Sequence, residues 1–386
     1  MNPARSRAKQ PRILVCPDSF KGTMGANEAA AAMVRGIRRI IPRARISLLP
    51  LADGGEGSLK AVSTGVRGRL IQMSVRGPLG TRTRAQLLLL PHRTAVVELA
   101  QAAGLHLVKP GRRDALRAST YGVGELIDRA LRLGKKRIVV FTGGSATTDG
   151  GAGMAQALGI RMMDEHGKDI PPGGIGLLHL AHINPAQLRK RLLHVTVLGA
   201  TDVRNPLLGP SGSARIFAPQ KGASPREVRL LEKGLSNLAR VIRRDMGMDI
   251  SRIPGAGSAG GTGAGLVAFL EAVLVPGAPL VFDILDLDRH LAGADLVISG
   301  EGSLDQQTAM GKMISRLCRR ARPHQVPVLA FAGKMSLSPR QVKKTGLAGA
   351  YQLAADSRTS MKNAGIFLER KVAEVLANLN DARRGA

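Results

Sequence analysis

The chain has 386 residues, 44% of them hydrophobic, which is enough for two cores because single domains usually stop growing near roughly 250 residues. Its 57 Lys and Arg against 28 Asp and Glu leave a net charge of +29, a balance that would attract nucleic acid, anionic membranes or phosphorylated substrates. The basic residues are spread along the whole chain and only 2% of residues are aromatic, so the stacking platforms of single-strand binders are missing and no specific nucleic-acid partner is expected.

In chain order, Met1 to Arg12 reads as a basic tail without the apolar core of a signal peptide. A strand at Ile13 to Val15, a helix at Ala26 to Ile41 and a strand at Arg45 to Leu51 then form a βαβ pattern. The texture changes at Leu70 to Val75, Thr83 to Leu90 and Thr94 to Leu99, three apolar runs punctuated by Gly77-Pro78 and Pro91-His92 at hairpin spacing, which predicts antiparallel strands. The middle mixes helices at Thr120 to Leu133, Pro225 to Asp245 and Gly260 to Val273 with strands at Arg137 to Phe141 and His194 to Gly199. From Asp295 the βαβ rhythm returns: strand Leu296 to Ser299, helix Thr308 to Arg320, strand Val328 to Phe331, then two further helical stretches. Like textures at both ends around an unlike middle predict an α/β protein in which residues 1–66 and 285–386 form one Rossmann-like, doubly wound domain. Residues 67–284 would be an inserted second α/β domain with a mixed or antiparallel sheet.

No apolar run reaches the roughly 20 residues of a membrane span; Gly265 to Phe282 is broken by Glu271, Pro276 and Pro279, so no membrane association is expected. The two cysteines, Cys16 and Cys318, cannot build a disulfide framework, which fits a reducing cytoplasm. The scattered histidines lack metal-ligand spacing, so no structural zinc site is expected. Met162-Met163 reads as core filling.

In open α/β sheets ligands bind outside the carboxyl ends of the strands. The four strands of the terminal segments lead into Asp18-Ser19-Phe20-Lys21-Gly22, Asp53-Gly54-Gly55-Glu56-Gly57, Gly300-Glu301-Gly302 with Asp305, and Gly333-Lys334. Each joins glycine, for close backbone approach, to a charged group, which together predict a binding crevice. In the middle segment Gly143-Gly144-Ser145-Ala146-Thr147-Thr148-Asp149-Gly150-Gly151 follows a strand and opens a helix, so its amides and hydroxyls could hold an anion. Asp202 and Asn205 follow another strand, and Lys221 lies in Pro219-Gln220-Lys221-Gly222. Gly255 to Gly260 has the spacing of a dinucleotide motif but no convincing strand before it, and Gly311-Lys312 lacks the rest of a P-loop.

These motifs resemble the bacterial class I glycerate kinases. The resemblance rests on Pro17 to Gly22, Ala52 to Gly57, Ser119-Thr120-Tyr121-Gly122, Gly143 to Gly151, Asn205-Pro206-Leu207, Pro219 to Gly222, Pro254 to Gly257 and Ala294 to Gly302, in the family's order. It implies transfer of a phosphoryl group from ATP, with Mg2+, to D-glycerate, usually giving 2-phosphoglycerate, in a cleft between two domains that closes over the substrate. The chain departs from the family pattern at Gly25, where Ser is usual, at Thr201 and Arg204 beside Asp202, and at Asp114-Ala115.

Phosphoryl transfer asks the protein for cations, a metal ion, a hydroxyl-orienting group and a carboxylate clamp. Lys21 and Lys312 are expected to carry phosphate or substrate-carboxylate charge, and Asp53 to act as base or orienting group. The Gly143, Gly144, Ser145, Thr148 and Asp149 loop is expected at phosphate, and Asp202 and Asp305 near magnesium through waters. Asp18, Ser19, Gly54, Gly55, Glu56, Asn205, Lys221, Gly300 and Glu301 complete the expected binding set, with a homodimer left open. The competing readings are a kinase of another small hydroxy acid, a dinucleotide-dependent dehydrogenase and a basic nucleic-acid-binding protein.

Overall fold

The computed structural model describes residues 10–20, 23–306, 313–353 and 363–384. The fold is of the expected α/β class, and contacts divide it into two units. One comprises Met1–Asp53, Lys60–Gly65 and Val281–Ala386; the other comprises Gly54–Leu59 and Val66–Leu280. Where the sequence reading placed single crossings near residues 66 and 285, the segment Gly54–Leu59 also groups with the second unit.

The first unit opens with β1 (Arg12–Val15) and β2 (Arg45–Leu48), joined through the helix Ala26–Ile40. The second carries β3 (Arg69–Arg76), β4 (Arg82–Leu90), β5 (Thr94–Glu98), β6 (Arg137–Phe141), β7 (Arg161–Met163), β8 (His182–Asn184), β9 (Thr196–Ala200) and β10 (Val273–Val275). The chain then returns to the first unit with β11 (Leu296–Leu304), β12 (Val328–Met335) and β13 (Gly349–Gln352).

The first unit's five strands run in the order β13-β12-β11-β1-β2, with every pairing parallel. That order is doubly wound, and it reverses direction between β1 and β11, where ligands characteristically sit in such sheets. Ile13, Leu14 and Val15 are buried because parallel strands are covered on both faces. On one face the helix Ala26–Ile40 presents Ala29, Ala30, Met33 and Ile37 at helical spacing. The helix Ala364–Arg384 packs in the same layer through Leu368, Val372 and Val375. Gly36 permits the approach: a Cβ there would lie 2.5 Å from the Glu369 carbonyl oxygen.

The second unit's six strands run β10-β9-β6-β5-β4-β3 and form a mixed sheet. The β3–β4 and β4–β5 pairs are antiparallel, as the hairpin punctuation predicted, whereas β5–β6, β6–β9 and β9–β10 are parallel. Helices Tyr121–Arg132, Pro225–Met246 and Ser258–Leu270 cover it around Val97, Val140, Leu126, Leu235 and Leu266.

Several local expectations need correction. Gly300, Glu301 and Gly302, and likewise Gly333 and Lys334, are not loops, because the β11–β12 ladder continues through Glu301↔Ala332 and Ser303↔Lys334. Backbone pairing outlasts the apolar run here, since a parallel ladder needs an aligned neighbour more than it needs apolar side chains. The helix expected at Gly260 to Val273 spans Ser258–Leu270, with Ala259, Gly260 and Gly261 in the left-handed region, and Val273 belongs to β10. The antiparallel pair β7 and β8, separated by residues 164–181, and β13 escaped the reading because such short runs carry almost no periodicity. Met162 is fully buried in β7, the core role expected of it.

Candidate active site

Because β5, β6, β9 and β10 are mutually parallel in sequence through the sheet, their carboxyl ends, at Glu98, Phe141, Ala200 and Val275, share one edge of the second unit. Two glycine-bearing segments meet there backbone to backbone. The Gly143 amide donates to the Gly54 carbonyl at 3.2 Å. A Cβ on Gly143 would stand 2.4 Å from the Gly55 Cα. At Gly54 the constraint is φ 86°, a backbone conformation that L side chains rarely adopt; the space there is only slightly tight, with a Cβ 3.3 Å from the Gly277 Cα and 3.5 Å from the Ala200 Cβ. Glycine is therefore required at this junction for space as well as for backbone angle. The next strand end joins the cluster through Asp202, whose Oδ1 accepts the Gly277 amide at 3.2 Å while the side chain stays exposed. Glu56 is exposed above Gly144 and lies 3.3 Å from His106 Nδ1. Asn205, half-buried, donates through its side chain to the Ser211 carbonyl at 2.8 Å.

Beneath this surface the Thr142 to Gly151 loop is locked from inside. Asp149 is fully buried and accepts from the Thr120 amide at 2.7 Å, the Thr120 hydroxyl at 2.8 Å, and the Gly151 and Gly153 amides at 3.2 Å each. Burial pushes its carboxyl pKa up, and the Thr120 and glycine donors pull the other way. All of these contacts are donors, which is the pattern an ionised carboxylate satisfies. Lys221 is buried as well; its ammonium donates to the Thr147 carbonyl and to Ser145 Oγ at 3.3 Å. Burial lowers it to about 7, with the Asp149 charge opposing that shift. Thr148 is also buried, and its hydroxyl has no hydrogen-bond partner among the described residues. Ser145, Thr148, Asp149 and Lys221 thus shape the loop, and Gly143 and Gly144 form its outer turn.

Glu98 and Thr120 were not among the sequence candidates. Glu98 ends the buried strand β5 at 1% exposure; its Oε1 accepts the Gly57 amide at 3.0 Å and its Oε2 the Leu59 amide at 2.8 Å. The available signal was an acid closing the otherwise apolar run Thr94 to Leu99, where an unpaired carboxylate would be costly to bury.

In the first unit, Asp18 and Ser19 follow β1 and adjoin β11 at the reversal point of the sheet. The Asp18 amide donates to the Gly300 carbonyl at 2.8 Å, and the Asp18 carboxylate accepts the Ser19 amide at 2.6 Å. A Cβ on Gly300 would stand 2.4 Å from the Phe331 carbonyl oxygen. Asp18 and Glu301 are buried, while Asp53 and Asp305 are half-buried. Lys21 and Lys312 lie outside the described residues.

The departures from the family pattern have separate local accounts. Gly25 caps the helix Ala26–Ile40 without a side chain, so only the Glu28 half of a capping box forms, to the Gly25 amide at 3.0 Å. Asp114 Oδ1 accepts the Leu116 and Arg117 amides at 3.1 and 3.0 Å, a side-chain turn that sets up the approach to Thr120. Arg204 is exposed beside Asp202.

No group of three or more His, Cys, Asp or Glu residues gathers among the described residues as a ready-made metal cage. Magnesium does not need one, since it is usually held by one or two carboxylates with substrate phosphates and waters. The exposed Asp202 carboxylate, anchored by the Gly277 amide, fits that kind of donor set.

Comparison with known proteins identifies the family. The glycerate kinase family profile matches residues 13–380. The chain is 44% identical over 342 residues to the glycerate kinase of Halalkalibacterium halodurans, covering 88% of this chain and 90% of that one. It is 41% identical over 326 residues to the glycerate 2-kinase of Escherichia coli, covering 84% and 86%. A crystal structure from Salmonella typhimurium, described as that of a candidate glycerate kinase 2, superposes with a TM-score of 0.86 at 41% identity, covering 97% of this chain and all of that one. With a family match over nearly its whole length, this chain belongs to the glycerate kinase family.

Proposed function

We propose that this protein transfers the γ-phosphoryl group of ATP to D-glycerate, giving 2-phosphoglycerate. The observation that carries the reading is the glycine junction in which Gly143 meets Gly54 and Gly55, built on a loop whose interior is fixed by Asp149 and Lys221. Backbone amides held in place there can stabilise phosphoryl oxygens as charge moves among them, without reorganising during the reaction. The Lys221 amine braces the same loop from beneath by donating to Thr147 and Ser145. Asp53, next in sequence to Gly54, is assigned to the acceptor hydroxyl as base or orienting group. Lys21 and Lys312 are assigned to the charge of phosphate or of the glycerate carboxylate, and Asp18, Ser19, Gly300 and Glu301 to the surrounding binding set. Asp202 and Asp305 would hold magnesium, which when bound neutralises phosphate charge.

Glycerate-dependent ADP formation, measured against a panel of small hydroxy acids, tests the reading; no stimulation by glycerate with the fold intact would overturn it. Coupling the product to enolase separates 2-phosphoglycerate from the 3-phosphate. A second reading, phosphorylation of another small hydroxy acid, is favoured by one observation: exposed Arg204 puts a cation where the family pattern has an acid, and would suit a more anionic acceptor. The same panel decides it. Asp53→Asn should lower turnover by roughly 100-fold if Asp53 acts as base; near-normal turnover removes it from that role. A reducing cytoplasm is the proposed location. Cys16 and Cys318 are both buried free thiols, and no helix among the described residues is long and apolar enough to cross a membrane.

A further inference from the structure

The helix Ser58–Gly65 starts under an unusual constraint. Its N-cap, Gly57, has φ 87° and no side chain, so it cannot supply the oxygen that ordinarily satisfies the first helical amides. The acceptor comes instead from a distant residue. Glu98, at the carboxyl end of β5, receives the Gly57 amide on Oε1 and the Leu59 amide on Oε2, at 3.0 and 2.8 Å. A carboxylate at a helix N-terminus also lies at the favourable end of the helix dipole. Burial pushes the Glu98 carboxyl pKa up and nearby Glu56 adds to that rise, while the Leu59 and Gly57 amides and the Gln101 side chain pull it down. The same short segment is gripped on its other side at Gly54 and Gly55 by Gly143. Its conformation is therefore set by two residues of the mixed sheet's carboxyl edge, one ionisable and one without a side chain.

We propose that Glu98 is a positioning residue for phosphoryl transfer: by clamping the Gly57 and Leu59 amides it fixes the backbone that immediately follows Asp53. The inference rests on the kinase reading and deepens it. Glu98 touches neither reacting group in this scheme; it acts through the segment it holds. Glutamine cannot replace it, because one carboxamide oxygen serves a single amide and the NH2 group then faces the second N–H donor to donor.

The experiment compares wild type, Glu98→Gln and Glu98→Asp by steady-state kinetics and by amide hydrogen exchange of the full chain. Glu98→Gln should lower kcat by roughly 10- to 100-fold, the range that a 1 Å misplacement near the chemistry can cost, with KM for ATP shifting less than about threefold. Exchange at Gly57 and Leu59 should accelerate while the amides of β5 and β6 keep their protection. Glu98→Asp, which keeps the charge but withdraws the carboxylate by one methylene from the Gly57 and Leu59 amides, should show the same pattern at lower amplitude, and it stands as the test if Glu98→Gln does not fold. In the Asp53→Asn background the Glu98→Gln loss should largely vanish, because coupled residues acting as one unit are non-additive. Fast exchange at Gly57 and Leu59 with unchanged kcat would overturn the proposal, as would unchanged exchange or full additivity with Asp53→Asn. If the wild type shows no glycerate-dependent turnover, it is the kinase reading that fails; the exchange result still shows separately whether Glu98 clamps the segment.

Discussion

Gly143→Ala probes the junction most directly. The added Cβ would sit 2.4 Å from the Gly55 Cα, with the Gly54 carbonyl oxygen and the Gly55 nitrogen both at 3.3 Å. Ordinary Cβ contacts begin near 3.4 Å, so the two segments must separate by 3.4 − 2.4 = 1.0 Å, and the obstacle is backbone that cannot rotate away. Overpacking of this kind costs about 1–3 kcal/mol. Its larger effect should be on chemistry, where a displacement of about 1 Å can lower turnover by roughly 100-fold. Glycerate-dependent ADP release gives kcat and KM, and a thermal melt gives the stability cost. Gly111→Ala is the control, since nothing lies within 4 Å of a Cβ at that position, and it should match wild type in both assays. If Gly143→Ala keeps kcat within about threefold of wild type, the close approach of the two glycine segments is not needed for catalysis and the site argument fails at its centre.

Two further predictions concern the buried charges under the loop. Burial lowers Lys221 to about 7 from its ordinary 10.5, so between those values the unfolded chain holds a proton that the folded chain has released. Stability should then rise with pH across this window, by up to about 1.4 kcal/mol per pH unit from this one group, and the cost of burying the ammonium is fully present below it. Lys221→Met should flatten the rise in denaturant titrations between roughly pH 7.5 and 9.5; parallel curves for the two proteins would refute the assignment. Asp149→Asn keeps one good acceptor oxygen but turns an NH2 toward a backbone donor, which should cost about 1–3 kcal/mol and lower turnover as the loop loosens. Unchanged stability would mean that the contacts to Thr120, Gly151 and Gly153 do not fix the loop.

Much of this protein was legible in the sequence because its signals are local. Apolar runs of five to nine residues placed β3 through β6, and helical spacing of alanine, methionine and isoleucine placed Ala26–Ile40. Position just after a predicted strand marked Asp18, Asp53 and Asp202 as residues at strand ends. Motifs in a fixed order, from Pro17 to Gly302, carried the family resemblance. The sequence could not show contacts between residues far apart in the chain. That Gly143 needs to be glycine is decided by Gly55, and that Lys221 is a buried amine under a loop, not a solvated one beside it, is decided by Thr147 and Ser145. Glu98 reads as the end of a strand until the fold brings it against Gly57 and Leu59. Sequence patterns mark the longer strands and helices, whose signals are local, whereas short strands such as β13 and the extension of β11 through Gly300 to Gly302 depend on a paired neighbour. Only tertiary packing decides which polar groups are removed from water, and a buried carboxylate or ammonium takes its meaning from the partners it finds there.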